Sequence, residues 1–324
     1  MQMMKAVMIR EPGGPEVLRL EDVPLPVAGP GQVLIRVRAF GLNRSELYTR
    51  QGHSPVQFPR ILGIEAVGTV EAAPGGEFQP GETVATVMGG MGRDYDGGYA
   101  EYTVVPAAQV QLLRTPLPWV VLGALPEMLQ TAWGSLFTAL RLEPGERLLI
   151  RGGSTSVGLA AAAIARGHGA SVSATTRDPA RAELLRAAGA EQVFIDAGKL
   201  QEQVRSVYPG GVDRVLELVG TATLQDSLRC VRPGGVVCLA GIVGNEWTWN
   251  GVNPMEAIPS GVRLTTYSGT AQDFMRTPLD ELARQVAAGT LKLPLGPTFR
   301  LHQIVEAHRV IEENRAGGKM VVLT

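Results

Sequence analysis

Cysteine, histidine and net charge are what this 324-residue chain has least of. Its two cysteines, Cys230 and Cys238, sit inside apolar runs, which excludes a disulfide framework and reads as a pair of reduced thiols. Thirty basic against 31 acidic side chains leave a formal net charge of -1, so the basic excess of an ordinary nucleic-acid binder is missing. No apolar run is long enough to cross a bilayer; residues 157–165 are typical of the longest. The Met-rich start has no extended apolar segment, and the expected location is the cytoplasm. Forty glycines and 22 prolines are spread between apolar runs, not gathered in one low-complexity tract, which argues against extended disorder. The length suits two domains, each with its own core.

What is present changes character near residue 119. Before it, short strand-like runs (5–10, 17–23, 32–39, 67–72, 82–87 and 99–104) are separated by turn formers such as Glu11-Pro12-Gly13-Gly14 and Gly29-Pro30-Gly31, the pattern of a β-barrel or sandwich. After it, strand-length apolar runs alternate with Ala- and Leu-rich helical patterns. Strands are expected at 147–151, 171–175, 192–196, 212–219, 236–240 and 262–267, with helices at 157–166, 179–188, 200–207 and 224–231. Six strands in two halves make a doubly wound α/β fold on a parallel sheet. Residues 279–324 hold two helical patterns and a strand at 319–323 assigned back to the first domain. The expected division is therefore 1–119, 120–272 and 273–324.

The first of the six strands ends in Gly152-Gly153-Ser154-Thr155-Ser156-Val157-Gly158, followed by an Ala-rich helix. A dinucleotide site needs a sharp turn out of the strand, close backbone approach to the pyrophosphate and tight packing of the helix. Gly153 suits the turn and Gly158 the packing, while Thr155 stands where the G-x-G-x-x-G pattern has its middle glycine. Ser154, Thr155 and Ser156 are hydroxyl donors for phosphate oxygens. The second strand ends Ala174-Thr175-Thr176-Arg177, with no acid at its tip. Asp178 precedes Pro179 as a helix N-cap. Arg177 and Arg181, with Thr175 and Thr176, can embrace a 2'-phosphate, which favours NADPH over NADH. Gly241, Ile242 and Val243 follow the fifth strand, and Gly269 and Thr270 follow the sixth, at the carboxyl ends where such sheets bind ligands.

Taken together, the segments resemble the zinc-free quinone oxidoreductases of the medium-chain dehydrogenase/reductase superfamily. The motifs are Lys5-Ala6-Val7; Gly41-Leu42-Asn43 with Arg50-Gln51-Gly52; Leu62-Gly63-Ile64-Glu65 before Gly68-Thr69-Val70; Pro80-Gly81-Glu82-Thr83-Val84; Gly97-Gly98-Tyr99-Ala100-Glu101-Tyr102; Thr131-Ala132-Trp133; and Gly317-Gly318-Lys319. The resemblance implies a GroES-like β-barrel catalytic domain, a Rossmann domain inserted after it, and a cofactor held in the cleft between them. It also implies a homodimer, which the open sheet edge at the sixth strand, 263–267, suggests independently.

Zinc-dependent relatives carry a Cys just beyond the Gly-Leu turn and a Gly-His-Glu triplet. Here these places read Asn43-Arg44-Ser45-Glu46 and Gly63-Ile64-Glu65, and no cysteine precedes residue 230. No metal is expected, and Glu65 reads as a barrel residue. His302 and His308 read as surface side chains of a terminal helix. The resemblance places Asn43 and Tyr48 at the nicotinamide. There Asn43 donates to a developing oxyanion or merely stabilises its turn, and Tyr48 relays a proton or packs the barrel. His53 is a substitute proton donor. Thr131, near the start of the helix joining the domains, is placed at the nicotinamide end. The expected activity is zinc-independent, NADPH-dependent reduction of a quinone or another α,β-unsaturated carbonyl. Reduction of a 2-enoyl thioester and NADPH binding without turnover remain alternatives.

Overall fold

A computed structural model describes residues 2–324 and divides them into two units. The first runs to Gln130 and takes up residues 269–290 and 295–324; the second holds residues 131–268 and 291–294. The breaks thus fall at 130/131 and 268/269, where the sequence pattern had set 119/120 and 272/273. The difference has a packing cause. A short helix, Trp119–Leu122, lies on strands of the first unit although its own sequence looks like the start of the helical half.

The first unit opens with β1 (Met3–Ile9), β2 (Arg19–Pro24), β3 (Gln32–Gly41), α1 (Arg44–Arg50), β4 (Arg60–Ile61), β5 (Glu65–Ala72), β6 (Thr83–Val87), β7 (Tyr102–Pro106) and β8 (Val110–Leu112). Helix α2 (Trp119–Leu122) follows, and helix α3 (Pro126–Trp133) runs across the 130/131 break, so that Thr131 counts with the second unit. Strands β2, β1 and β4 form a small antiparallel sheet. Strand β3 pairs antiparallel with both β5 and β7, and Gly68 of β5 lies opposite Val37. A Cβ on Gly68 would meet the carbonyl oxygen of Arg36 at 2.0 Å, so only glycine lets the strands close at this irregularity.

The second unit contains β9 (Arg147–Arg151), α4 (Ser156–Gly167), β10 (Ser171–Thr176), α5 (Ala182–Ala187), β11 (Gln192–Ile195), α6 (Leu200–Val207), β12 (Val212–Glu217), α7 (Thr221–Cys230), β13 (Val231–Leu239), α8 (Pro254–Ala257) and β14 (Arg263–Thr266). All six strands are parallel, in the order β11-β10-β9-β12-β13-β14. Counted from β9, that is 3-2-1-4-5-6, the doubly wound arrangement expected from the alternating pattern. Leu149, Val204, Val215, Leu228 and Val237 share a core in which helices α6 and α7 bury their apolar faces. Four alanines of α4, at 160–162 and 165, are buried on β9 and β10.

The chain then returns to the first unit through α9 (Ala271–Arg276), α10 (Leu279–Ala287), β15 (Leu295–Arg300), α11 (Ile304–Glu312) and β16 (Lys319–Leu323). The larger sheet has the order β15-β16-β3-β5-β6-β8. Strand β15 was not legible in the sequence because Leu295-Gly296-Pro297 lacks strand formers, and proline is tolerated there because β15 is an edge strand paired only with β16.

Helix α11 corrects the reading of His308. Its core face carries Ile304, Ala307, His308 and Val310, and His308 is fully buried where a surface position was expected; His302 is exposed. The spacing of four from Ile304 places the imidazole on that face. His308 Nε2 lies 3.1 Å from the hydroxyl of Tyr99, whose ring stacks on Phe40 at 4.6 Å. Burial, aided by the positive charge of Arg50, pushes the imidazole down from 6.5 to about 3. Below pH 6.5 the unfolded chain takes up a proton here that the folded chain refuses, so this group withdraws stability as pH falls toward 3. The span is worth at most about 5 kcal/mol. Denaturant titrations at pH 7 and pH 4.5 should show a smaller loss of stability in His308→Gln than in the parent; equal losses would remove His308 as the cause.

Candidate active site and cofactor cradle

In the second unit the turn after β9 is built as a dinucleotide cradle, with its tasks shifted by one residue. Gly152, not Gly153, makes the left-handed turn, at φ 81°. Gly153 instead packs against β10: a Cβ there would meet that of Ala174 at 2.8 Å. On Gly158 a Cβ would lie 2.7 Å from the carbonyl oxygen of Gly153 and 2.8 Å from that of Gly152, so the helix seats on the turn only because this residue is glycine. Thr155 caps α4. Its hydroxyl accepts from Gly158 N at 3.0 Å and donates to Gly152 O at 2.9 Å, which leaves it no hydrogen for a phosphate, contrary to expectation. Ser156 and Val157 begin the helix, where backbone N–H groups have no intrahelical acceptor. Ser154 lies on the turn itself and is partly exposed. The residues present fit a pyrophosphate.

The tip of β10 also differs in detail from the expectation. Thr175 accepts from Gly152 N at 3.1 Å, and Thr176 donates to the carbonyl of Asp178 while accepting from its N–H, so both hydroxyls serve the local fold. Asp178 caps the following turn through Ala180 N at 3.0 Å. Arg181 lies 3.7 Å from Asp178. Arg177 is exposed and makes no ion pair among the described residues. After β13, Gly241 packs on Leu218, where a Cβ would meet the Leu218 carbonyl oxygen at 2.7 Å, and Ile242 and Val243 are partly exposed. Gly269 and Thr270 belong to the first unit. The Thr270 hydroxyl is committed to Asp273 in the capping box of α9.

Beneath these strand ends Arg151 is nearly inaccessible. It forks onto Asp196 at 2.7 and 3.0 Å and reaches Asp226 at 2.8 Å. Glu217, fully buried, accepts from the N–H groups of Val219 and Gly220, and burial pushes its carboxyl above the usual range. No sequence motif marked this network.

In the first unit the decisive cluster surrounds Asn43, at the start of α1. Lys319 Nζ, on β16, donates to Asn43 Oδ1, to Glu65 Oε1 at 2.9 Å and to Glu127 Oε2 at 3.2 Å, which uses all three of its hydrogens. Because an ammonium cannot accept, Asn43 must turn its oxygen toward it. Both amide hydrogens then face carboxylates, Glu65 Oε1 at 3.0 Å and Glu46 Oε1 at 3.2 Å. Asn43 thus has no hydrogen left for a developing oxyanion, which corrects the donor role expected of it. Glu46 also accepts from the backbone N–H groups of Asn43 and Ile64. The carboxylates that converge here already enclose a fixed cation, and among the described residues no group of three or more His, Cys, Asp or Glu is disposed to hold a metal. This donor set does not fit zinc.

Tyr48, one turn into α1, is mostly buried. Burial raises its phenol, while the charge of Arg44 and a hydrogen bond from it act in the opposite sense. Arg44 also donates to Asn314. His53 is exposed. Thr131 is buried on α3, four residues beyond Glu127. Lys319, Glu46, Glu127 and Arg44 were missed by sequence reasoning. The available signals for Lys319 were its place in Gly317-Gly318-Lys319 and a lysine opening an otherwise apolar terminal strand.

Two family models match the chain: an alcohol dehydrogenase GroES-like domain over residues 29–116 and a zinc-binding dehydrogenase over residues 136–322. The quinone oxidoreductases of Homo sapiens and Sus scrofa are each 30% identical to it, across 99% of this chain and 98% of theirs. The quinone oxidoreductase of Pseudomonas syringae pv. Tomato DC3000 superposes with a TM-score of 0.90 at 27% identity, covering 99% of this chain and 100% of that one. Mycobacterial Rv1454c, solved in complex with NADPH, gives a TM-score of 0.88 at 28% identity, with coverage of 99% and 100%. The chain belongs to the quinone oxidoreductase-like family of the medium-chain dehydrogenase/reductase superfamily. It is an oxidoreductase with a GroES-like domain and a Rossmann-type nucleotide-binding domain. No described helix is long and apolar enough to cross a membrane.

The cluster carries a pH signature. Burial pushes Glu46 from 4.5 up to about 7, with Glu65 adding to the rise and the Ile64 N–H, Asn43 and Lys319 opposing it. Between those values the folded chain holds a proton that the unfolded chain has released, so stability from this group falls as pH rises toward 7. The span is worth at most about 3 kcal/mol. Glu46→Gln should flatten the stability profile between pH 5 and pH 8, read as a difference in slope from the parent; an unchanged slope would show that Glu46 keeps its charge throughout.

Proposed function

We propose that the chain is a zinc-independent, NADPH-dependent reductase of quinones or other α,β-unsaturated carbonyls, acting as a cytoplasmic homodimer. The observation that carries the cofactor choice is the tip of β10, where the strand ends in Thr175-Thr176 with no acid, Asp178 is committed to capping the next turn, and the exposed guanidinium of Arg177 makes no ion pair among the described residues. The acceptor class rests on the quinone oxidoreductases that match this chain over nearly its whole length. It also rests on the Asn43 cluster, whose cation is an ammonium with every hydrogen committed, so that no Lewis acid from this donor set assists a simple ketone.

Bound nicotinamide supplies the hydride. The chain's residues do the rest. The glycine-seated turn at 152–158 and the first N–H groups of α4 would hold the pyrophosphate, and Arg177 and Arg181 would neutralise the 2'-phosphate. Thr131, Gly241, Ile242 and Val243 would hold the nicotinamide half. Tyr48 Oη keeps its proton at neutral pH because burial raises it, and can pass that proton to the reduced acceptor, with the Arg44 guanidinium offsetting the phenolate left behind.

Arg177→Ala should raise the dissociation constant of NADPH by roughly 10- to 100-fold, the worth of about 1.5–3 kcal/mol for a charge-assisted contact, and leave that of NADH almost unchanged. Fluorescence titration with both cofactors measures the ratio, and an unaltered ratio removes the assignment. Cofactor oxidation by the parent enzyme should be fastest with quinones and enones in a panel that also contains a crotonyl thioester. Faster turnover of the thioester would favour the enoyl reductase reading, and binding without turnover the non-catalytic one.

The dimer proposal is supported by β14. It ends the six-strand sheet, pairs only with β13, and exposes Arg263 and Thr266. Pairing across a two-fold axis would cover that edge. Light scattering at micromolar concentration should give twice the chain mass, and Thr265→Pro should reduce it; a parent protein that scatters as a monomer overturns the proposal.

A further inference from the structure

We infer that Lys319 is a positioning residue for hydride transfer, an inference that rests on the function proposed above. Two segments that carry residues assigned to the nicotinamide hang from its ammonium. One is the turn into α1. There Lys319 holds Asn43 Oδ1 and so fixes both amide hydrogens on Glu46 and Glu65. The other is the first turn of α3. Glu127 accepts from Lys319 through its side chain, and its backbone N–H donates to Glu65 Oε2 at 2.8 Å. Thr131 follows four residues later on the same helix face.

Glu65 joins the two segments, with one oxygen on Asn43 and Lys319 and the other on the start of α3. Gly41 makes the junction possible. A Cβ there would lie 2.4 Å from Glu65 Oε1 and 2.4 Å from Lys319 Cε, so the ion pair rests directly on bare backbone. Lys319 and Glu65 are both sealed from solvent. A pair of this kind is a strong geometric constraint, because rotating either partner leaves a buried charge unmatched. Without the ammonium, Asn43 Oδ1 loses its charged partner, and the α1 turn and α3 are left joined through Glu65 alone, which then holds a buried charge with no cation.

The lysine could instead serve stability alone, and the test separates the two roles. Lys319→Met should destabilise the protein because it strands Glu65, so the informative variants are K319R and the charge-matched pair E65Q/K319M. In both, melting temperature, the NADPH dissociation constant and single-turnover hydride transfer to 1,4-benzoquinone are measured on the same preparation. With (4R)- and (4S)-[4-²H]NADPH, the share of deuterium delivered from each face is measured as well. Positioning predicts folded variants that bind NADPH within about threefold of the parent, transfer hydride at least about tenfold more slowly and lose facial selectivity. A folded, NADPH-binding variant with parental rate and selectivity overturns the inference and leaves the proposed function standing. If E65Q/K319M does not fold, K319R is read by the same thresholds. If the parent itself binds NADPH and reduces no acceptor, the proposed function fails and the inference falls with it.

Discussion

An ammonium removed from water must meet an acceptor with each of its three hydrogens, and in the first unit that requirement organises everything around Lys319. Its partners come from three distant parts of the chain: Asn43 at the start of α1, Glu65 at the start of β5 and Glu127 at the start of α3. Charge balance then propagates outward. Burial, with Glu65 close by, raises Glu46 to about 7, while the Ile64 N–H, Asn43 and Lys319 act in the opposite sense.

The second unit solves a similar problem with the opposite stoichiometry of geometry. Arg151 reaches Asp196, Asp226, Ser227 and the Thr223 carbonyl through its three nitrogens, tying the ends of β9 and β11 to α7 beneath the cofactor cradle. A planar fork suits this role better than a lysine would, because two of its contacts are parallel bonds to one carboxylate. The backbone turn above it is then free to serve a ligand. Its glycines satisfy packing limits, and Thr155 and Thr175 satisfy its hydrogen bonds.

These arrangements change the meaning of residues without moving them. Asn43 stays at the centre of the candidate site, yet its amide works inward on carboxylates, and the proton transfer proposed above falls to Tyr48, beside Arg44. Thr155, Thr176 and Thr270 lie where ligand contacts were expected and instead hold caps and turns. Hydroxyls in first turns of helices are drawn to nearby backbone groups, and that local competition is settled before any ligand arrives.

The order of the elements is written in the chain's local patterns. Alternating apolar runs and Ala-rich helices set the six parallel strands, with 147–151, 200–207 and 319–323 matching strand β9, helix α6 and strand β16 at both ends. The glycine-rich turn marked the cradle because its constraint is local: a residue without Cβ is needed at a fixed distance from a strand end. Only the tertiary structure decided who faces whom. Lys319 lies 254 residues from Glu65 and 192 from Glu127, and no periodicity links such positions. His308 looked like a surface residue until Tyr99 and the core face of α11 enclosed it. Patterns along the chain record propensity and burial, which act over a few residues. The pairing of buried charges depends on which segments meet across the sheet, and that is fixed only when the chain has folded.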